Sequence, residues 1–183
     1  MLTGFDAETA EFFRTLVKSS TAYLEFGCGE STRYMVANSF AKIVSVETDP
    51  QWCKKLEEEL QSNRLKILHC DVGPVGPWGM PTETTDVGDY ADLPWPHISE
   101  PDTVLIDGRW RVNAWAATML HCQPGTAVLF DDFLNRPMYF HCAALLPPSL
   151  TVGRAAFWRV PELTSEDRED LKHLANDFAN QPL

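Results

Sequence analysis

Short apolar segments alternate with amphipathic segments along most of this chain, and this alternation constrains the fold more than any other feature. The apolar segments predict strands at residues 22–26, 43–47, 65–69, 102–107 and 126–130, with one or two more within residues 150–160. The amphipathic segments predict helices over residues 7–18, 32–39, 50–61, 110–122, 136–146 and 164–179. Strands that alternate with helices form βαβ units, so an α/β fold with a mainly parallel sheet is expected.

The expected helices begin at residues that favour helix starts. Asp6, Ser31 and Thr164 are predicted N-caps, because a side-chain oxygen at that position can accept a hydrogen bond from a free backbone N–H. Pro50 suits a first helical turn, where the missing N–H does no harm.

One stretch, residues 71–100, departs from the alternation. Its thirty residues contain five of the 13 prolines, four of the 10 glycines, and both Trp78 and Trp95. This composition excludes a regular element, and a long loop inside a compact domain is usually functional or disordered. The 183 residues are enough for one compact core, so a single domain over residues 1–183 with this inserted loop is predicted.

The charge and the cysteines limit the partners and the compartment. The formal net charge is −11 and the basic residues are scattered, so a nucleic-acid partner is not expected and a small molecule is. The longest apolar run is far too short to cross a membrane, and residues 1–11 lack the basic start of a secretory signal. Five cysteines without a Cys-x-x-Cys pair favour a reducing compartment, and a cytoplasmic location is predicted. The sequence leaves open whether the protein forms a homodimer.

The segment from Tyr23 to Thr32 predicts a strand, a glycine turn and a helix in direct succession. Gly27 and Gly29 permit backbone conformations and close approaches that other residues exclude, and the helix amides that follow can receive a polar ligand group. Glu47 ends the next strand, twenty residues after Gly27, where a carboxylate can accept hydrogen bonds from both ribose hydroxyls. An ordinary tight turn with a surface glutamate is the alternative.

At this turn, Glu25-Phe26-Gly27-Cys28-Gly29 resembles the first motif of class I S-adenosylmethionine-dependent methyltransferases, an acid followed by Gly-x-Gly-x-Gly, with Ser31 replacing the third glycine. The resemblance covers residues 20–132. It implies a three-layer α/β/α Rossmann-like methyltransferase fold with about seven strands, and S-adenosylmethionine as the cofactor. It places Glu25, Gly27, Cys28 and Gly29 near the methionine part, Glu47 at the ribose, Cys70 and Asp71 beside the adenine, and Asp107 at the close of the pocket.

A nicotinamide dinucleotide is the competing ligand, and two residues disfavour it. The dinucleotide fingerprint needs a third glycine at the position that Thr32 occupies. Glu25, just before the turn, would repel a pyrophosphate, whereas the cationic sulfonium of S-adenosylmethionine tolerates a nearby acid.

Charged residues follow the fourth and fifth expected strands, where the methyl acceptor should bind. Asp107, Asp131 and Arg109 are the candidate catalytic residues, and Arg109, Arg111 and Trp78 are the candidates for contact with the acceptor. The arginines can hold a carboxylate or a phosphate through charge-assisted hydrogen bonds; a structural ion pair with Asp131 or Asp132 is the alternative. We expect the loop around Trp78 to form a pocket wall or a lid, with packing at a dimer interface as the alternative.

Asp107, Asp131 and Asp132 also raise the question of a metal. Metal-dependent catechol-type O-methyltransferases carry similar acids after these strands, and three carboxylates suit magnesium or calcium. The nearby arginines can neutralise the same charges, so the prediction is no metal, with a divalent ion at these three residues as the alternative. The five histidines form no spaced ligand set, although His141 is a candidate base.

The predicted function is methyl transfer to an oxygen of a small-molecule or sugar-like acceptor. No Asn-Pro-Pro-Tyr-type motif follows the fourth expected strand, which disfavours N-methylation of nucleic acid or glutamine. No side chain stands out as a base, so a non-catalytic module that binds S-adenosylmethionine is the alternative.

Overall fold

The computed structural model describes residues 2, 4–83 and 89–182. Its strands are β1 Ala22–Phe26, β2 Lys42–Glu47, β3 Leu65–His69, β4 Thr103–Ile106, β5 Ala127–Phe130, β6 Leu150–Val152 and β7 Ala155–Arg159. Its α-helices are α1 Ala7–Leu16, α2 Glu30–Asn38, α3 Pro50–Leu60, α4 Arg111–His121, α5 Phe140–Leu145 and α6 Ser165–Phe178. Among the described residues, no helix has both the length and the apolar character needed to cross a membrane.

The strands of the described chain form one seven-stranded sheet in the order β3-β2-β1-β4-β5-β7-β6. The first five in that order are parallel; β7 runs antiparallel to β5, and β6 antiparallel to β7. The order reverses between β1 and β4, where Phe26 pairs with Ile106. Ligands of open α/β sheets bind at the carboxyl ends of the strands near such a reversal, so the fold directs attention to the residues after Phe26 and Ile106.

Helices cover both faces of the sheet. Successive side chains of a strand point to opposite faces, so Leu24 packs with Trp115 of α4 in one apolar cluster, while Tyr23 packs with Phe13 of α1 in the other. All four side chains are fully buried. These two clusters are the inner surfaces of three layers, and the predicted three-layer α/β/α fold is confirmed.

The helix starts agree with the sequence at most positions. Asp6 accepts hydrogen bonds from the N–H groups of Glu8 and Thr9, both at 3.0 Å, and Thr164 caps α6 as predicted. The prediction of Ser31 as a cap is wrong, because α2 begins at Glu30, two residues before the expected start, and Gly29 is its N-cap. The hydroxyl of Ser31 instead donates to the buried carboxyl of Glu25, at 2.7 Å.

One predicted helix differs from its expected extent, whereas the prediction for residues 150–160 is confirmed. The predicted helix over 136–146 is reduced to α5, because Arg136 is extended before Pro137 and a short 3-10 turn intervenes. The segment 150–160 forms two strands, with Gly153 at φ +54° in the turn between them. Residues 84–88 of the expected loop lie outside the described residues, whereas Tyr90 and Ile98 at its far end are buried in the core.

Candidate functional site

The glycine turn after β1 lies against the backbone that follows β4. Gly27 has φ +91°, and its N–H donates to the Val46 carbonyl at 2.8 Å. A Cβ on Gly27 would come within 2.6 Å of the Cα of Gly108, so only glycine fits. A Cβ on Gly29 would meet no atom within 4 Å, so the turn opens at that residue.

Glu25 supports this turn from the protein interior. Its carboxyl is fully buried and accepts hydrogen bonds from hydroxyl groups, on Tyr23 at 2.9 Å, Ser31 at 2.7 Å, Ser45 at 2.6 Å and Thr32. Burial raises the pKa of Glu25, and the hydroxyl donors oppose that shift. The Thr32 hydroxyl also accepts from the N–H of Gly29, at 2.8 Å. Glu25 therefore orders the turn and does not line the cavity described below.

Glu47 lies at the end of β2 and faces the turn. One carboxylate oxygen accepts from the N–H of Cys28 at 3.2 Å, and the other from the N–H groups of Thr48 at 2.7 Å and Asp49 at 3.1 Å. Burial, with the Glu47 charge as the next contribution, raises the pKa of the Cys28 thiol. The indole N–H of Trp52 donates to the Cys28 carbonyl at 2.8 Å. Thus Glu47 and Trp52 hold Cys28 from two sides.

The loop after β3 folds back over this corner of the sheet. The Thr48 hydroxyl donates to the Gly79 carbonyl at 2.7 Å, and Trp78 has φ +61° with its side chain 90% exposed. Cys70 is buried, Asp71 is exposed, and neither lines the cavity. Residues 78–80 of this loop do line it.

A cavity of about 920 Å³ lies at the carboxyl ends of these strands. One part, the turn half, is lined by residues 27–31, Arg33, Glu47, Asp49, Trp52 and residues 78–80. The other part, the arginine half, is lined by residues 107–109, Arg111, Asp132, Arg136, Arg154, Leu2, Gly4 and Phe5. Nothing in the sequence pattern pointed to Trp52, Arg136, Arg154 or the N-terminal residues, because they come from separate elements that only the fold brings together.

Arg111 was predicted to contact the acceptor, but its hydrogen-bond donors are used by other groups of the protein. It is 3% exposed, and it donates to the carbonyls of Gly108 at 2.9 Å, Asp131 at 2.8 Å and Asp107 at 3.0 Å. It also forms ion pairs with Asp107 at 3.1 Å and Asp132 at 3.6 Å. The structural alternative therefore describes Arg111 better than substrate contact does.

Asp131, predicted among the catalytic residues, is fully buried and does not line the cavity. Its carboxylate accepts from Nε of Arg154 at 3.0 Å, and Arg154 also contacts Asp132 at 2.8 Å. The Asp131 hydrogen bond is the main cause that raises the pKa of Arg154. Arg154 donates as well to the Gly4 carbonyl, so one guanidinium joins the acids after β5 to the N-terminal segment.

One oxygen each of Asp107, Asp131 and Asp132 lies within 4.8 Å of the others, a spacing that a metal ion could use. The same carboxylates already form ion pairs with Arg111, Arg136 and Arg154. These arginines supply the positive charge that a divalent cation would bring, so the donor set does not fit a metal well and no step below depends on one.

Asp107 and Asp132 both line the cavity, and Asp107 is the more exposed of the two, with its side chain 31% exposed against 19%. Desolvation raises the pKa of Asp107 to about 7, the Arg111 charge opposes this, and Asp131 and Asp132 add to it. A carboxyl that titrates near neutral pH can accept a proton from a bound hydroxyl. His141, the other candidate base, is exposed beside Phe178 and lies outside the cavity lining.

Arg109 is the remaining predicted residue, and it lines the arginine half. It is 9% exposed, its backbone N–H donates to the Tyr90 hydroxyl at 3.3 Å, and its Nε has no partner among the described residues.

Comparison with solved structures places this arrangement in a known fold. A methyltransferase-like protein from Silicibacter pomeroyi DSS-3 superposes with a TM-score of 0.82 and 27% identity, over 95% of this chain and 94% of that one. The chain has the class I methyltransferase fold. The expectation drawn from residues 25–29 is thereby confirmed at the level of the fold and the superfamily.

More distant methyltransferases share the fold alone. An RNA methyltransferase from Salinibacter ruber, solved with S-adenosyl-L-homocysteine, matches with a TM-score of 0.53 and 15% identity, over 85% of this chain and 94% of that one. MycE from the mycinamycin biosynthetic pathway, solved with Mg and S-adenosylhomocysteine, matches with a TM-score of 0.53 and 14% identity, over 86% of this chain and 47% of that one. No protein-family model and no curated protein sequence matches the chain.

Proposed function

We propose that this methyltransferase-fold protein binds S-adenosylmethionine in the turn half of the cavity and methylates an oxygen of a small molecule held in the arginine half. The observation that carries the proposal is the position of Asp107: it lines the same cavity as the glycine turn, and its pKa is about 7. A carboxyl with that pKa, beside a cofactor cradle, can remove a proton from a hydroxyl acceptor at neutral pH.

The turn half fits the cofactor in shape and in charge. Gly27 and Gly108 leave no side chain between the two loop backbones, and Gly29 opens toward free space. Glu47 lines the cavity where a ribose would need a hydrogen-bond acceptor. The described residues of this half include three acidic side chains, Glu30, Glu47 and Asp49, and one basic side chain, Arg33. Their negative charge favours a cationic ligand.

When bound, S-adenosylmethionine supplies an electrophilic methyl group. The protein's own residues position the acceptor and handle its proton. Asp107 takes the proton of the acceptor hydroxyl, and the 3.1 Å ion pair with Arg111 holds its carboxylate in place. Leu2 and Phe5 contribute apolar surface to the cavity lining. The cavity thus bounds a small acceptor, whereas the net charge of −11 disfavours a nucleic acid.

Calorimetry with S-adenosylhomocysteine tests the cofactor site. We expect wild-type protein to bind, and Glu47→Gln to bind roughly tenfold more weakly because a charge-assisted hydrogen bond is lost. Glu58→Gln is the matched control, since it removes the same charge from the exposed surface of α3. Absence of binding to the wild type at millimolar ligand would overturn the proposal.

Turnover separates an enzyme from the alternative, a module that binds the cofactor without catalysis. Formation of S-adenosylhomocysteine is measured against a panel of hydroxylated small molecules, for wild type and Asp107→Asn. We expect turnover in the wild type only, with cofactor affinity retained in both. Cofactor binding without turnover of any acceptor would favour the module.

A further inference from the structure

Arg109 is a buried cation without a counter-charge among the described residues. It is 9% exposed, its Nε has no hydrogen-bond partner there, and the ion pairs of this region do not include it. The other arginines that line this half, Arg111, Arg136 and Arg154, each form ion pairs with acids. Taking an unpaired charge out of water is costly, so proteins seldom do it without a ligand or a partner.

The nearest charges around Arg109 are positive. Burial is the largest cause that lowers its pKa, the Arg111 and Arg136 charges lower it further, and Tyr90 and Tyr139 oppose this shift. The Tyr139 hydroxyl is itself buried without a partner in the described chain. Two side chains near one another therefore lack the hydrogen bonds that burial normally demands.

The arginine half as a whole carries an excess positive charge. Four described arginines line it, against two carboxylates, Asp107 and Asp132, while Asp131 lies buried behind them. Helix α4 also begins at this wall, and no side chain caps its positive end. Arg136 is 38% exposed at its side chain, and its ion pair with Asp132 is long, at 3.5 Å, whereas Arg154 contacts the other oxygen of the same carboxylate at 2.8 Å. Arg136 can therefore turn to a second anion.

We propose that Arg109 and Arg136 bind a carboxylate of the methyl acceptor, so that the substrates are small carboxylic acids that also carry a hydroxyl group. That the bound molecule is a methyl acceptor rests on the proposed function. The existence of an anion site at Arg109 and Arg136 does not depend on it. A cation without a partner among the described residues matches an anionic ligand group, and the planar guanidinium fork matches the two oxygens of a carboxylate. The carboxylate anchors the substrate beside Asp107, which lines the same half.

Benzoate and its neutral isostere benzamide test the anion site directly. Each is titrated into protein saturated with S-adenosylhomocysteine, and also into protein without it, with tryptophan fluorescence as the signal. We expect wild-type protein to prefer benzoate by about tenfold, and Arg109→Gln to lose that preference. Arg136→Gln should lose part of it, and phenyl phosphate should bind more weakly than benzoate. Arg168→Gln, an exposed arginine of α6, is the charge-matched control and should behave as the wild type.

Three further measurements test a structural role of Arg109, the need for its guanidinium fork, and a role toward the cofactor. Arg109→Gln should unfold at the same temperature as the wild type or at a higher one, since it removes a buried unpaired charge. Arg109→Lys keeps the charge without the fork and should retain only part of the preference for benzoate. S-adenosylhomocysteine affinity should not change in Arg109→Gln.

Three results would overturn the proposal. Equal binding of benzoate and benzamide to the wild type, including no binding of either, would remove the anion site. If both Arg109 variants kept the full preference for benzoate, the anion site would have to lie at other residues. A tenfold loss of S-adenosylhomocysteine affinity in Arg109→Gln would show that Arg109 serves the cofactor carboxylate. Failure of the wild type to bind S-adenosylhomocysteine would instead overturn the proposed function. The anion site is still tested in that case, because benzoate is also titrated into protein without S-adenosylhomocysteine.

Discussion

Gly27 and Gly108 come from loops that follow different strands, and each occupies the space that a side chain on the other would need. A methyl group on Gly108 would lie 2.7 Å from the backbone N of Gly27 and 2.3 Å from the Tyr90 hydroxyl. This contact fixes the distance between the glycine turn and Asp107. It connects the two halves of the cavity without any side chain.

Gly108→Ala should therefore disturb the cavity and the fold together. We expect a loss of about 1–3 kcal/mol in the free energy of unfolding, as for other overpacked sites, because two backbones must separate. Urea unfolding measures the loss, and calorimetry measures the accompanying fall in S-adenosylhomocysteine affinity. Gly29→Ala is the control for stability, since a Cβ there meets no atom within 4 Å. Equal stability of the two variants would contradict the prediction.

Glu25→Ala should be among the most destabilising single substitutions in the turn. It leaves the hydroxyl groups of Ser31, Thr32 and Ser45 without their buried acceptor, and we expect a loss of roughly 3 kcal/mol. Tyr23→Phe removes one donor to the same carboxyl and should lose only about 1 kcal/mol. Urea unfolding compares the variants, and a Glu25→Ala protein as stable as Tyr23→Phe would show that the hydroxyl groups find other partners.

The raised pKa of Asp107 predicts a pH dependence of stability. Its pKa is about 7 in the folded protein and 3.8 in its ordinary state, so the folded protein binds the proton more tightly than the unfolded chain does. Stability from this group is present below about pH 4 and is lost as the pH rises toward 7. Relative to wild type, Asp107→Asn should thus gain stability between pH 4 and 8. Urea unfolding across that range tests this, and a constant difference between the two proteins would contradict it.

Loss of the ion pair between Arg154 and Asp131 should lower the free energy of unfolding strongly, although the pair lies away from the glycine turn. Arg154→Ala leaves the fully buried Asp131 carboxylate without its partner, and we expect a loss of about 3 kcal/mol. Arg14→Ala breaks a surface pair with Glu11 on α1 and should lose less than about 1 kcal/mol. Thermal unfolding ranks the two variants. Similar melting temperatures would mean that water or another cation reaches Asp131.

Local signals predicted most of the fold. The apolar segments gave β1 and β3 with the bounds that the structure has, because a buried strand needs a short run of apolar residues whatever surrounds it. The caps at Asp6 and Thr164 were also predicted correctly from the sequence, since a cap acts on N–H groups only two or three residues away. Ser31 was misread for the opposite reason. Its hydroxyl finds a partner, Glu25, that lies across the turn and not in its own helix.

What the sequence determined by itself was therefore the α/β fold and the glycine turn, whose requirements are met by neighbouring residues. What only the tertiary structure decided was how the charges pair. Arg111 and Arg154 share the acids that follow β4 and β5, while Arg109 is buried beside them without a counter-charge in the part of the chain that the structure describes. Charge pairing acts through space between residues that are distant in the chain, and no periodicity or local motif encodes which arginine meets which acid.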